Sequence, residues 1–370
     1  LTDATDPLPL AQALLRCRSV TPEDGGAQAA LAEALEAIGF SVTRLRFGAI
    51  ENLFARRGAD GPHLCFAGHT DVVPPGPGWS VDPFAGEVVD GALIGRGACD
   101  MKGAIAAFAA AAAGWDGPGS LSLLITGDEE GEATDGTVRV LEWMAANGHV
   151  PDFCLVGEPT NPGRLGDVIK IGRRGSLNAS LAVHGVQGHA AYPQHADNPV
   201  HRLVAILAEL LARRLDEGTE WFEPSRLQAV SVDVGNPAFN VIPAAASAKL
   251  NIRFNDSHTG ATLDAWLREV AARHAERFEL VASVGGEAFL TEPGPAVERL
   301  RAAIAAATGA EPRLDTGGGT SDARFIARYC PVAEFGLVGA TMHKADERVP
   351  VDELRALARV YAGVIAAFLG

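Results

Sequence analysis

The chain is short of positive charge, poor in cysteine and without a long apolar run. Lys and Arg number 31 against 46 Asp and Glu, a net charge of −15. A nucleic-acid surface needs a basic patch, so no nucleic-acid partner is expected. An anionic substrate stays open, because a few well-placed arginines suffice to recognise a carboxylate. The five cysteines (Cys17, Cys65, Cys99, Cys154, Cys330) are odd in number and contain no CxxC pair. Neither a disulfide framework nor a cysteine zinc site is expected. Cys65 and Cys154 sit inside apolar strands and read as small buried hydrophobes in a reducing compartment. No apolar run reaches membrane-spanning length, and Leu1-Thr2-Asp3-Ala4-Thr5-Asp6 has neither the basic start nor the apolar stretch of a signal peptide. The expectation is a cytoplasmic protein with no membrane partner. Nucleotide binding is not expected either. No GxGxxG opens a helix after a strand, and Gly317-Gly318-Gly319 is not followed by Gly-Lys-Ser/Thr.

At 370 residues the chain exceeds one typical core, and two domains are expected. The first half alternates helix and strand. Apolar strands at 63–68, 120–126 and 152–156 are separated by helices over 103–113 and 136–146. Such strands suggest a parallel-rich sheet covered on both faces. Ala27 to Ile38 carries Leu31, Leu35 and Ile38 at helical spacing, with Gly39 placed to end it. The pattern changes after Arg174. Leu177, Ala179, Leu181 and Val183 alternate, and a helix is expected over 199–215. Strands follow at 227–234 and 246–254, then a helix at 261–275 and a strand at 278–284. That order is the split βαβ arrangement of a ferredoxin-like unit. The expected organisation is an α/β protein in which 175–287 is inserted between 1–174 and 288–370.

The chemistry collects at strand ends. His69, Glu130, Glu158 and His343 follow predicted strands, and Leu93-Ile94-Gly95-Arg96-Gly97 leads to Asp100. In an open α/β sheet the carboxyl ends of the strands line one crevice. Imidazoles and carboxylates gathered there form a metal site of nitrogen and oxygen donors. Each motif has a plainer reading by itself: a surface triplet for His69-Thr70-Asp71, a helix cap for Asp100, and solvated turns for Asp128-Glu129-Glu130, Glu158 and His343. Together they point to a metal. Asp71 shares a face with His69 and can accept the imidazole's second N–H. A carboxylate such as Asp100 can bridge two ions. Glu130 is assigned to a metal and the adjacent Glu129 to proton transfer with water.

The segments GHTDVVPPG (68–76), GRGACDMKG (95–103), TGDEEG (126–131), GEPT (157–160), GRRGSL (172–177), GVQGHAAYP (185–193), NVIP (240–243), GGTSDARF (318–325) and MHKADERVPV (342–351) together resemble the di-zinc M20 aminoacylase/carboxypeptidase family. The resemblance runs over nearly the whole chain, in the family's order. It implies a zinc-dependent, exopeptidase-like α/β/α catalytic domain with an inserted dimerisation domain. It implies two Zn²⁺ per subunit, with Co²⁺ able to substitute in one site. The ligands it implies are His69, Asp100 as bridge, Glu130, Glu158 and His343, with Asp71 behind His69 and Glu129 as general acid/base. His189 would reach the partner subunit's site and stabilise an oxyanion. Arg173, Tyr192, Asn240, Arg253, Gly319 and Thr320 match substrate-contacting positions. Phe239, before NVIP, stands where a polar residue is expected. The reaction implied is hydrolysis of the amide of N-succinyl-LL-2,6-diaminopimelate, an N-succinylated amino acid, by a homodimer. The alternatives are an acetylornithine deacetylase, a general aminoacylase, a zinc carboxypeptidase or, more remotely, a non-catalytic binding protein on the same fold. GRRGSL and MHKADERV favour the succinylated substrate, and intact Glu129 argues against loss of catalysis.

Overall fold

The structure is a computed structural model that describes residues 3–370. Leu1 and Thr2 of the N-terminal segment discussed above lie outside the described residues. The chain forms two compact units. One comprises the chain up to Ile171 together with Thr291–Asp315 and Ser321–Gly370. The other comprises Gly172–Leu290 and Thr316–Thr320.

The first unit is built on an eight-stranded sheet. Its strand order is Ser41–Phe47, Ile50–Arg57, Ser120–Thr126, His63–His69, Phe153–Val156, Val332–Glu334, Val168–Lys170, Arg313–Asp315. The centre is parallel and the Ser41–Phe47 edge antiparallel, as the uninterrupted apolar strands require. Every residue of His63–His69, Ser120–Thr126 and Phe153–Val156 is buried. Helices cover both faces. On one face Phe66 stacks on Phe108 at 4.5 Å and meets Tyr361 edge-on at 5.6 Å. On the other, Phe54 packs on Trp143 at 5.4 Å. The helix Lys102–Ala113 is buried along almost its whole length, and its run of alanines combines high helix propensity with little bulk.

Register decides where the chemistry falls. His69 pairs with Thr126, and Ala67 pairs with Val156, so three strands stop side by side. Two expectations are corrected here. The strand before Asp100 is not part of this sheet: Ala92–Ile94 lies between Glu87–Val89 and Arg348–Pro350 in a separate antiparallel sheet. The strand before His343 is short, Val332–Glu334, and a long loop carries the histidine.

The second unit is a four-stranded antiparallel sheet in the order Arg226–Asp233, Ala245–Phe254, Gly175–His184, Phe278–Gly286. This is the spatial order of a ferredoxin-like unit. Leu177, Ala179, Leu181 and Val183 are buried with Leu203, Ile206, Leu267 and Val270 of the two helices. Asn198 caps Pro199–Ala212, and Thr259 with Thr262 forms a capping box on Gly260–His274. The first of these helices stops at Ala212, short of the expected 215. A two-residue pairing of Gly172–Arg173 with Phe289–Leu290 joins the start and end of the unit. The compact unit is therefore slightly wider than 175–287 and also takes in 316–320. Among the described residues no helix is long and apolar enough to cross a membrane.

Candidate metal centre

His69 ends its strand and is 1% exposed. Its Nε2 lies 3.2 Å from Asp100 Oδ1 and 3.8 Å from Glu158 Oε1. The other Asp100 oxygen, Oδ2, lies 3.3 Å from His343 Nε2, which is itself 2.9 Å from Glu130 Oε1. Asp100 thus presents one oxygen to each imidazole, the disposition that a bridge between two ions requires. Donor atoms of His69, Asp100 and Glu130 lie within 4.8 Å of one another, and so do those of His69, Glu129 and Glu158. The five expected ligands therefore converge, and Glu129 stands among them.

The local backbone explains how each acid reaches this place. Asp100 is not a helix cap. The helix begins at Lys102 behind Met101, with no side-chain cap, and the Asp100 carboxylate turns to the imidazoles instead. Asp128 is the turn acid of its triplet, accepting main-chain N–H from Thr134 and Asp135 at 2.9 and 3.1 Å. Asp71 departs from expectation. His69 Nδ1–H donates to the main-chain carbonyl of Asp71 at 2.9 Å, while the Asp71 carboxylate stands off at 3.6 Å. That carboxylate accepts the N–H groups of Glu129 and Glu130 at 3.3 and 3.0 Å and the Thr21 hydroxyl at 2.7 Å. Asp71 therefore orients His69 through its backbone and the Glu129–Glu130 turn through its side chain.

Burial disfavours a charged ring at His69, but Asp100, Glu129, Asp71 and Glu158 outweigh it and raise the imidazole well above its ordinary value. Hydrogen bonds to Asp100 and Glu130 push His343 up to about 10. Burial, followed by the Glu158 charge, lifts Glu129 far above the usual carboxylate range. Burial would lift Asp100 too, but the His343 and His69 contacts reverse that and hold it far below. These shifts belong to an anionic cluster short of cations. Two imidazoles stand among the carboxylates of Asp100, Glu129, Glu130 and Glu158, and a divalent cation offsets such a crowding of acids. The nitrogen-and-oxygen donor set suits a hard-to-borderline divalent ion. The residues present fit a two-metal centre.

The remaining expected residues form a separate set in the second unit. Arg173 is buried and donates to the Gly319 carbonyl at 3.1 Å. His189 is exposed on a two-residue strand paired with Val241, and its Nδ1 accepts the Ala191 N–H at 3.1 Å. Tyr192 is exposed beside it, with ring centroids 5.6 Å apart. Asn240 is exposed and accepts the Ala190 N–H through its main chain. Arg253 lies on Ala245–Phe254 opposite Ser176, and Gly319 and Thr320 lie in the 316–320 segment. Phe239 is fully exposed, so its apolar ring is available to a ligand or a neighbour.

Two residues near the cluster escaped the sequence reading. Arg96 and Glu347 form a buried ion pair at 2.7 Å. Both lie inside the quoted motifs (GRGACD and MHKADERV), and an acid four residues past His343 was the available signal.

A mixed α/β unit in which acids and a histidine at central strand ends meet Asp100 and His343 from neighbouring loops defines the class, a metal-dependent hydrolase. The chain belongs to peptidase family M20/M25/M40, whose model matches residues 65–367. It is 64% identical to a succinyl-diaminopimelate desuccinylase of Gluconacetobacter diazotrophicus over 100% of this chain and 99% of that one. It is likewise 64% identical to a succinyl-diaminopimelate desuccinylase of Acidiphilium cryptum over 99% of each. Among solved structures, an M20 family metallo-carboxypeptidase from Sulfolobus solfataricus superposes with a TM-score of 0.80 at 17% identity, covering 98% of this chain and 99% of that one. A Bacillus subtilis dinuclear metal binding peptidase of the M20 family superposes at 0.72 and 16% identity over 98% of each. At that identity the two structures speak for the fold.

Proposed function

We propose that the protein hydrolyses the amide bond of N-succinyl-LL-2,6-diaminopimelate to succinate and LL-2,6-diaminopimelate, in lysine and diaminopimelate biosynthesis and in the cytoplasm. The observation that carries the chemistry is the Asp100 carboxylate facing His69 with one oxygen and His343 with the other, beside Glu129. Full-length identity to desuccinylases supports the substrate.

His69, Asp100, Glu130, Glu158 and His343 hold two Zn²⁺ in each subunit, with Co²⁺ able to replace one. Bound there, the ions supply Lewis acidity to the amide carbonyl and lower the pKa of water to about 7. Glu129 takes a proton from the water that adds to the succinyl carbonyl carbon. It returns that proton to the nitrogen as the C–N bond breaks. Asp71 keeps Glu129 and Glu130 in place by accepting their main-chain N–H groups. His189, contributed by the second copy in a homodimer formed through the inserted unit, donates to the oxyanion. Arg173 and Arg253 take carboxylates of the substrate as planar charged donors. Tyr192, Asn240, Gly319 and Thr320 complete the binding set.

A side-by-side assay of the metal-loaded protein on succinyl-diaminopimelate and acetylornithine tests the assignment. A higher kcat/KM on the succinylated compound is expected, and preference for acetylornithine overturns it.

A further inference from the structure

Asp100 faces both imidazoles from a loop that lies outside the central sheet, so something other than that sheet has to hold it there. Glu347 stands one residue before the strand Arg348–Pro350, which pairs with Ala92–Ile94. Its main-chain carbonyl accepts Gly95 N–H at 2.9 Å, continuing that pairing by one residue. Its side chain then goes further along the same loop. Oε1 accepts the N–H groups of Cys99 and Asp100 at 3.0 and 3.2 Å. Oε2 takes Arg96 Nη1 at 2.7 Å. Arg96 Nη2 in turn donates to the Pro75 carbonyl at 3.1 Å, which ties in the segment that follows Asp71. Glu347 is fully buried and Arg96 is 2% exposed.

The same short segment carries His343. Its backbone is left-handed at both His343 (φ 60°) and Asp346 (φ 54°), a conformation that persists in non-glycine residues when the surroundings enforce it. The Asp346 carboxylate accepts the Ser80 N–H at 2.8 Å, and the Thr341 hydroxyl bonds to Arg348 N and O at 3.1 Å. A buried ion pair is a poor device for stability alone, since well-packed apolar side chains do as well or better. Here one carboxylate oxygen is committed to the backbone of the bridging residue, on the segment that delivers the histidine facing that residue's far oxygen.

We propose that Arg96 and Glu347 are a positioning pair that sets the separation of Asp100 and His343 and thereby the second of the two metal positions. The inference rests on the ligand assignment of Asp100 and His343 made above. Neither residue touches substrate; both act through the loop backbones.

The test titrates the metal-free full chain with Zn²⁺ alone, by calorimetry, well below its melting temperature. In Glu347→Gln the single amide cannot accept from the Cys99 and Asp100 N–H groups and from Arg96 at once. The variant is expected to keep the first ion within about threefold and bind the second roughly 10–100-fold more weakly, the range for outer-shell partners of ligands. Ser225→Ala, which removes the acceptor of the buried Asn255 N–H in the inserted unit, is expected to lower the melting temperature yet keep both ions at wild-type affinity. That contrast separates positioning from general stability. Arg96→Lys keeps the charge, loses the planar fork, and is read the same way if Glu347→Gln does not fold. Wild-type affinity for both ions in the folded variants sinks the positioning pair alone. Fewer than two ions in the wild-type chain, or two unaffected by Asp100→Asn, brings down the ligand assignment and this inference with it.

Discussion

In the unit built on the mixed sheet, His69, Asp100 and Glu158 are buried and each meets another member of the cluster. In the inserted unit, His189, Tyr192 and Asn240 are exposed and held mainly by short backbone hydrogen bonds. The difference follows from what burial demands. Charged groups taken out of water must satisfy one another or hold a cation, so their geometry already states their chemistry. Exposed groups need no such partner, and their contacts within the chain do not state a role.

The comparison breaks first at Glu129. Glu129→Gln should lower kcat by roughly 10²–10⁴ while two equivalents of metal remain by elemental analysis; substantial turnover would remove its proton-carrying role. His189→Ala probes the exposed set. It should lower kcat by about 10²–10³, the effect of losing one oxyanion donor, with metal content and oligomeric state unchanged. Normal rates would leave the inserted unit with no part in the chemistry. Asp71→Ala should weaken metal affinity or activity about 10–100-fold, because the Glu129–Glu130 turn loses its acceptor; unchanged metal affinity and rate would make that carboxylate dispensable.

The smallest effect concerns stability in the inserted unit. Burial would raise the Asp216 pKa, but hydrogen bonds from Ser225, Gly218 and Asn255 outweigh it and lower it to about 2. The folded value is below the unfolded one, so the stabilisation is complete above about pH 4 and is lost as pH falls toward about 2. In urea unfolding, the difference between wild type and Asp216→Asn should shrink across that window, and a constant difference would contradict the shift. Metal uptake should not respond.

Much of this was legible in the chain. Largely apolar strands ending in His69, or just before Glu130 and Glu158, announce a buried parallel sheet with donors at its strand ends. The alternation of Leu177 to Val183 announces a half-exposed strand. The part that was not legible has specific causes. The His69–Asp71 spacing is compatible with a side-chain or a backbone acceptor, and only the fold selects the carbonyl. Asp100 follows a strand in sequence, yet that strand belongs to another sheet. Glu347 reaches Cys99 from 248 positions away along the chain, a separation that no local pattern encodes.

Residue types and their periodicity by themselves determined the central strands of the first unit and the helices between them, the order of strands and helices in the inserted unit, and a donor set of imidazoles and carboxylates. These are local properties of side-chain pattern and backbone preference. Tertiary structure decided which Asp100 oxygen faces which ring, where the Asp71 carboxylate goes, and that Arg96 and Glu347 share one buried contact. Such distances arise from strand register and loop path, which only the assembled backbone defines.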